Sequence, residues 1–165
     1  MTDWDRLVRQ HGPTVYHTAW RILGHVADTE DVTQEVFLEA NQLAQHEPVR
    51  HWGGLLRRLA TFRALDRLRQ RKQVVPLDDL ELCTDGDSPE DEAMGRELAE
   101  RLREGVARLP QREGAVFCLR YFDDLSNESI AEFLNMRPGA VAVALHKARA
   151  KLEAILTGAP TGEPL

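Results

Sequence analysis

Between residues 73 and 95 the chain carries eight acidic side chains (Asp78, Asp79, Glu81, Asp85, Asp87, Glu90, Asp91, Glu92) and no basic one. The stretch "QVVPLDDLELCTDGDSPEDEA" also holds Pro76, Gly86 and Pro89, and it lacks a sustained helical repeat. Proline and glycine punctuate it, and like charges keep it extended, so it reads as a flexible acidic linker. The chain is therefore expected to fold as two small units, 1–72 and 96–157, joined by the segment 73–95 and followed by a short tail at 158–165. The 42% hydrophobic content is enough for both units to build cores.

The formal net charge of −6 belongs to that middle segment. Residues 1–72 hold eleven Lys/Arg against nine Asp/Glu, and residues 96–165 hold ten of each. Within the first unit the charge is polarised again. The stretch 48–72, "PVRHWGGLLRRLATFRALDRLRQRK", sets Arg50, Arg57, Arg58, Arg63, Arg67, Arg69, Arg71 and Lys72 against Asp66 alone. Cations at this density suit a nucleic-acid backbone, where each neutralised phosphate releases counterions. Unopposed, they would repel one another along a merely solvated helix.

Several chemistries find no support. Cys83 and Cys118 lie far apart with no CxxC partner, and the six histidines show no HExxH spacing, so reduced thiols are expected, with no metal site and no cofactor. No nucleophile–base pair or phosphate loop is visible, so no catalytic residue is assigned. No apolar run reaches the ~18 residues a bilayer span requires. The start, "MTDWDRLVRQHG", is polar and mixed in charge, unlike a signal peptide. A soluble, cytoplasmic protein without a membrane partner is expected.

The apolar residues recur at helical spacing throughout, and no alternating strand is found, so the fold class is all-α. A first helix runs from Trp4 to Leu23, kinked or split at Gly12–Pro13 and stopped by Gly24. A second starts at an Asp28 or Thr29 cap and runs to about Leu43, burying Val32, Val36, Phe37, Ala40 and Leu43. A third spans about Trp52 to Lys72, burying Leu55, Leu59, Phe62 or Ala64, Leu65 and Leu68. Past the linker, a helix from about Ser88 or Glu90 ends at Leu109, and Pro110 opens the next. Ser126 then caps a short helix through Leu134, Asn135–Met136–Arg137 makes a turn, and Pro138 opens the last helix. With Ile130, Ala131, Leu134, Val141 and Leu145 facing inward, the pair forms a helix-turn-helix.

Three separated stretches resemble one family. "DTEDVTQEVFLEA" at 28–40 resembles the D-x-x-Q-E-x-F helix of bacterial sigma factors. "LLRRLATFRALDRLRQRK" at 55–72 resembles their helix that reads and opens the promoter −10 element. "LPQREGAVFCLRYFDDLSNESIAEFLNMRPGAVAVALHKARAKL" at 109–152 resembles the region that reads the −35 element. Two such regions joined by a linker are the plan of the extracytoplasmic-function (ECF) group. The resemblance implies a region 2 bundle of three or four helices, a region 4 helix-turn-helix, and two partners: core RNA polymerase and promoter DNA. It places Asp31, Gln34, Glu35, Leu38 and Glu39 against the clamp helices of the polymerase's largest catalytic subunit. It places Arg57, Arg58, Thr61, Phe62, Arg63, Arg67, Arg69, Arg71 and Lys72 at the −10 element, with one base flipped out of the stack. Phe62 is left open between stacking on a base and joining the core. Asp66 is expected to pair with neighbouring arginines.

The −35 contacts implied are Ser126, Arg137, Ala140, Ala144, Lys147 and Lys151. Val141, Leu145, Ala148 and Leu152, spaced four, three and four apart, turn to the core. Alanines at 140, 142 and 144 allow close approach to the groove, and their methyls can touch thymine methyls. Few charges there mean weak intrinsic DNA affinity, tolerable where tethering to polymerase supplies effective concentration. The isolated protein is accordingly expected to bind duplex DNA poorly. ECF factors are commonly held inactive by an anti-sigma protein, a third candidate partner. Two competing readings are a stand-alone helix-turn-helix regulator, which would need neither the acidic helix at 28–40 nor the basic one at 55–72, and an enzyme.

Overall fold

A computed structural model describes residues 1–74 and 89–158 as seven helices. Of the linker expected at 73–95, residues 75–88, Cys83 among them, lie outside these, as do the tail from 159 and the side chain of Lys72; residues 89–95, expected as linker, are helical, in the first turns of the helix Pro89–Arg108. α1 (Trp4–Leu23) opens on Asp3, whose carboxylate accepts from the Arg6 N–H at 3.1 Å, and ends on Gly24. Gly24 sits at φ +59 and donates its N–H to the Trp20 carbonyl. The helix runs through Pro13 without dividing. The lost hydrogen bond is offset because Val15, Ala19, Ile22 and Leu23 beyond the proline are buried.

α2 (Val26–His46) starts earlier than the sequence suggested. His25 is its cap, with Nδ1 accepting from the Asp28 N–H at 3.3 Å. Thr29, expected as a cap, is a fully buried helical residue whose hydroxyl donates to the His25 carbonyl. Asp28 lies in the first turn, where a carboxylate favours the helix dipole. Val32, Val36 and Ala40 are buried as expected, Phe37 partly so, whereas Leu43 is exposed.

α3 (Trp52–Val74) is the hub. It packs against α1, α2, α4 (Pro89–Arg108), α5 (Gln111–Tyr121) and α6 (Asn127–Leu134). Leu59, Ala64, Leu65 and Leu68 are buried as predicted, and Leu56 and Ala60 join them. Leu55 and Phe62 pack on the core while remaining partly accessible. α1–α3 form the three-helix bundle expected of the first unit.

The second unit is the α5–α6–α7 arrangement, with α7 spanning Pro138–Thr157. Ser126 caps α6 by accepting from the Ser129 N–H at 3.1 Å, and Asn135 ends it in the left-handed region at φ +53. Ile130, Ala131, Val141 and Leu145 close a small core with Val116 and Leu119. The two units do not stand apart. Val106, Leu109, Ala115, Phe117, Cys118, Ala148 and Leu152 share one hydrophobic cluster with the apolar sides of α1, α2 and α3.

Candidate functional site

Three faces matter. On the first, α2 turns Leu38 outward with 63% of its surface exposed, and the Asp31 side chain is 60% exposed. Next to Leu38 a groove of about 720 Å³ runs between α1 and α2, lined by Trp4, Val8, Pro13, Tyr16, Gln34 and Phe37 among others. Glu35 and Glu39 point from the same helix towards α3. An apolar cleft flanked by an amide and carboxylates can take a helix that offers both an apolar side chain and cations.

The second face is α3, and here the expectation of unopposed charge fails. α2 supplies the counter-charge, 24 or more residues away in sequence. Arg63 donates to Glu39 at 2.7 Å and Arg67 to Glu35 at 2.6 Å. Arg67 also lies 3.7 Å from both Asp28 and Asp31. The bond to Glu39 raises the pKa of Arg63 above the usual arginine value. Arg69 pairs with Asp66 at 3.9 Å, the neighbour pairing foreseen for that acid, and donates to the Leu109 carbonyl at 2.9 Å. Arg71 donates to the Leu23 carbonyl at the end of α1 and sits 3.8 Å from Glu100 on α4. Arg57 meets Asp123, in the turn between α5 and α6, at 3.8 Å. Arg58 lines a cavity of about 500 Å³ whose walls include Glu132 and Phe133 of α6. Thr61 cannot contact DNA as expected: it is wholly buried, and its hydroxyl donates to the Arg57 carbonyl at 2.9 Å.

Asp123 was not singled out by the sequence. Its side chain is 3% exposed and receives Arg21 at 2.9 Å, Thr18 at 3.3 Å and the guanidinium of Arg57. Burial nevertheless pushes its carboxyl up, against the opposing pull of Arg57 and Arg21. Desolvation thus cancels much of the attraction, and the cluster fixes register more than it adds strength.

The third face belongs to α7. Arg137, Ala140, Ala142, Val143, His146 and Lys147 are exposed along it, whereas Val141, Leu145, Ala148 and Leu152 are buried as predicted. Three assignments change. Ala144 is only 7% exposed and packs in the helix-turn-helix core, because it falls one turn before Ala148 on the inward stripe. Lys151 is held by Glu113 of α5 at 2.8 Å. The Ser126 hydroxyl is occupied by its cap. Sequence reading missed Arg149, which stacks 5.3 Å over the Tyr121 ring and donates to its hydroxyl. A pair 28 residues apart follows no local pattern. Among the described residues no group of His, Cys, Asp or Glu could hold a metal, and no helix is long and apolar enough to cross a membrane. Cys118 is a buried free thiol whose pKa burial raises.

Residues 7–74 match the family model of sigma-70 region 2, and residues 99–152 that of sigma-70 region 4. The chain is 31% identical over 150 residues to the ECF RNA polymerase sigma factor SigW of Bacillus subtilis (strain 168), covering 84% of this chain and 80% of that one. It belongs to the sigma-70 family, in the ECF group. It is 31% identical over 156 residues to the ECF sigma factor SigE of Mycolicibacterium smegmatis, covering 92% of this chain and 61% of that one. Sigma factors direct promoter-specific transcription initiation, and that is this protein's function, with core RNA polymerase and promoter DNA as its partners. The fold is shared with CnrH, solved in complex with the cytosolic domain of CnrY, at a TM-score of 0.60 and 22% identity over 95% of this chain and 89% of that one. It is shared too with the sigma factor RpoE of Bartonella quintana, solved with the anti-sigma factor NepR, at 0.56 and 14% over 95% and 98%. Sigma factors of this family leave the chemistry of RNA synthesis to the polymerase.

Proposed function

We propose a division of labour among the three faces. α2 grips the clamp helices of the polymerase's largest catalytic subunit through Asp31, Gln34, Glu35, Leu38 and Glu39, and the α1–α2 groove receives an apolar side chain of that partner. α3 engages and opens the −10 element through Arg57, Arg58, Phe62, Arg63, Arg67, Arg69, Arg71 and Lys72. Arginines neutralise phosphates there, and the half-accessible Phe62 offers a ring to an unstacked base. α7 reads the −35 element with Arg137, Ala140 and Lys147. The units are 1–72 and 96–157, joined by 73–95. The protein has no enzymatic activity of its own and works in the cytoplasm.

The observation carrying this reading is Leu38. A large apolar side chain, 63% exposed beside an exposed aspartate and an apolar groove, is what a partner-facing helix needs and a free-standing regulator does not. Small exposed residues at the start of α7 support weak autonomous DNA binding, with specificity arising in the holoenzyme. An anti-sigma protein, as NepR is in the solved complex with RpoE, would inactivate this chain by covering the α2 face. Replacing Asp31, Gln34 and Leu38 together should abolish capture of core polymerase and promoter-dependent RNA synthesis while helicity is kept. Unchanged association of a folded variant would overturn the assignment.

A further inference from the structure

The buried face of α7 and the face opposite it keep the same rhythm. Val141, Leu145, Ala148 and Leu152 turn to the core. Gly139, Val143, His146 and Ala150 repeat their spacing two positions earlier, about 200° round the helix, and all four are exposed. A surface pressed against α7 therefore meets this stripe first. Ala140 and Lys147 lie on one side of it, and Ala142 and Arg149 on the other.

The stripe carries its own chemistry. Nothing lies within 4 Å of a Cβ placed on Gly139, so the first turn offers bare backbone to a close neighbour. Val143 is 54% exposed, at a helical position where a β-branched residue is worse than the alanines around it. Its isopropyl group cannot hydrogen-bond to a base edge; in the major groove its complement is the C5 methyl of thymine. His146, one turn on, carries one ring donor and one acceptor when neutral, which suits several base edges.

Arg149, at the edge of the stripe, is fixed without being neutralised. Its guanidinium lies 5.3 Å over the Tyr121 ring, and its Nε donates to the Tyr121 hydroxyl. Tyr121 is itself packed on Phe117, with 4.7 Å between ring centres, at the end of α5. Lys151 is by contrast paired with Glu113. Among the described residues no carboxylate takes Arg149, so its full charge stays available to an anion. A flexible arginine loses rotamer freedom on meeting a phosphate, and one already ordered by a neutral partner loses less.

We propose that α7 enters the groove on the stripe Gly139–Val143–His146 with Val143 set against a thymine methyl, and that Tyr121 is a positioning residue holding Arg149 for the flanking phosphate. The assignment rests on α7 being the −35 helix, and it makes Val143, not Ala140, the central contact.

The test uses holoenzyme. Promoter duplexes randomised over both elements are selected with the native protein, and the recovered −35 element is resynthesised with each thymine in turn replaced by uracil, which removes one methyl group. At one position the native holoenzyme should bind about fourfold more weakly, the worth of one buried methyl, and V143A should no longer distinguish thymine from uracil there. R149A should lower the salt slope by about one, equally on every −35 sequence. Y121F keeps the ring and removes the acceptor; it should weaken binding about threefold, as loss of one hydrogen bond would, and add nothing to R149A. Circular dichroism establishes that each variant is folded. An element with no methyl-sensitive position, or the same sensitivity in V143A, overturns the role of Val143. An unchanged slope in R149A, or a Y121F effect that persists without Arg149, overturns the clamp. K147E judges the underlying reading separately: if it leaves −35 affinity and preference untouched, α7 is not the −35 helix, whereas if it weakens binding while the other results fail, the stripe and clamp alone fall.

Discussion

Gly24→Ala tests the docking of the units through a single added carbon. Gly24 occupies φ +59 at the end of α1, a conformation that costs an L-residue about 1–2 kcal/mol. A Cβ at that position would also lie 2.4 Å from Cζ of Arg103. Arg103 comes from α4, across the unit boundary, and is buried enough that desolvation lowers its pKa. It lies 3.7 Å from Glu100, and its Nε and Nη1 already lack hydrogen-bond partners. Displacing it should add roughly 1 kcal/mol, the net worth of a typical polar contact. Urea denaturation followed by circular dichroism should therefore show G24A destabilised by about 2–3 kcal/mol, or about 5–10 °C in Tm for a chain of this size. With Arg103→Ala already in place, only the backbone part remains, about 1–2 kcal/mol. If G24A costs the same whether or not Arg103 is present, the guanidinium does not cover Gly24 in solution, and the docked arrangement is wrong.

Other expectations follow from single contacts. Ser126→Ala removes the cap of α6 and should cost about 1 kcal/mol of stability; calorimetry of the full chain reads it, and no loss would mean that the cap is not formed. Leu38→Ala should leave Tm within a degree or two, because the side chain is exposed, while weakening core polymerase binding by about five- to thirtyfold, as an interface anchor would; equal affinity in a titration would remove Leu38 from the interface. Arg63→Ala in the holoenzyme should weaken promoter binding similarly on all sequences and lower the salt slope by about one, whereas Thr61→Val, at a buried position, should leave both unchanged. A promoter-binding defect in T61V without loss of stability would return Thr61 to the DNA face.

The helices, the Gly24 and Ser126 caps and the inward stripe of α7 were legible because they depend on neighbours three or four residues away, whereas the His25 cap of α2 was not. Val141, Leu145, Ala148 and Leu152 declare their face by spacing alone. Ala144 did not, since an alanine is equally at home in a core or in a groove. Charge misled for a related reason. Counting along residues 48–72 makes the arginines look unopposed, yet the partners of Arg63 and Arg67 sit on α2, brought there by the packing of two helices. Docking of the units was invisible for the same cause, because Arg57 and Asp123 each have an adequate local explanation.

That cross-helix pairing bears on how the polymerase-binding face should be dissected. Glu35 and Glu39 belong at once to the α2 face and to the ion pairs that hold Arg67 and Arg63. Removing either acid frees an arginine on the DNA-facing helix, so a defect in polymerase binding would be mixed with altered DNA contact. A cationic partner that takes over those carboxylates would do the same, releasing Arg63 and Arg67 towards phosphate at the moment of assembly. Leu38 makes none of these ion pairs. A loss of polymerase affinity in Leu38→Ala therefore reports on the grip alone, and comparing it with Glu35→Gln separates the grip from the charge it shares with α3.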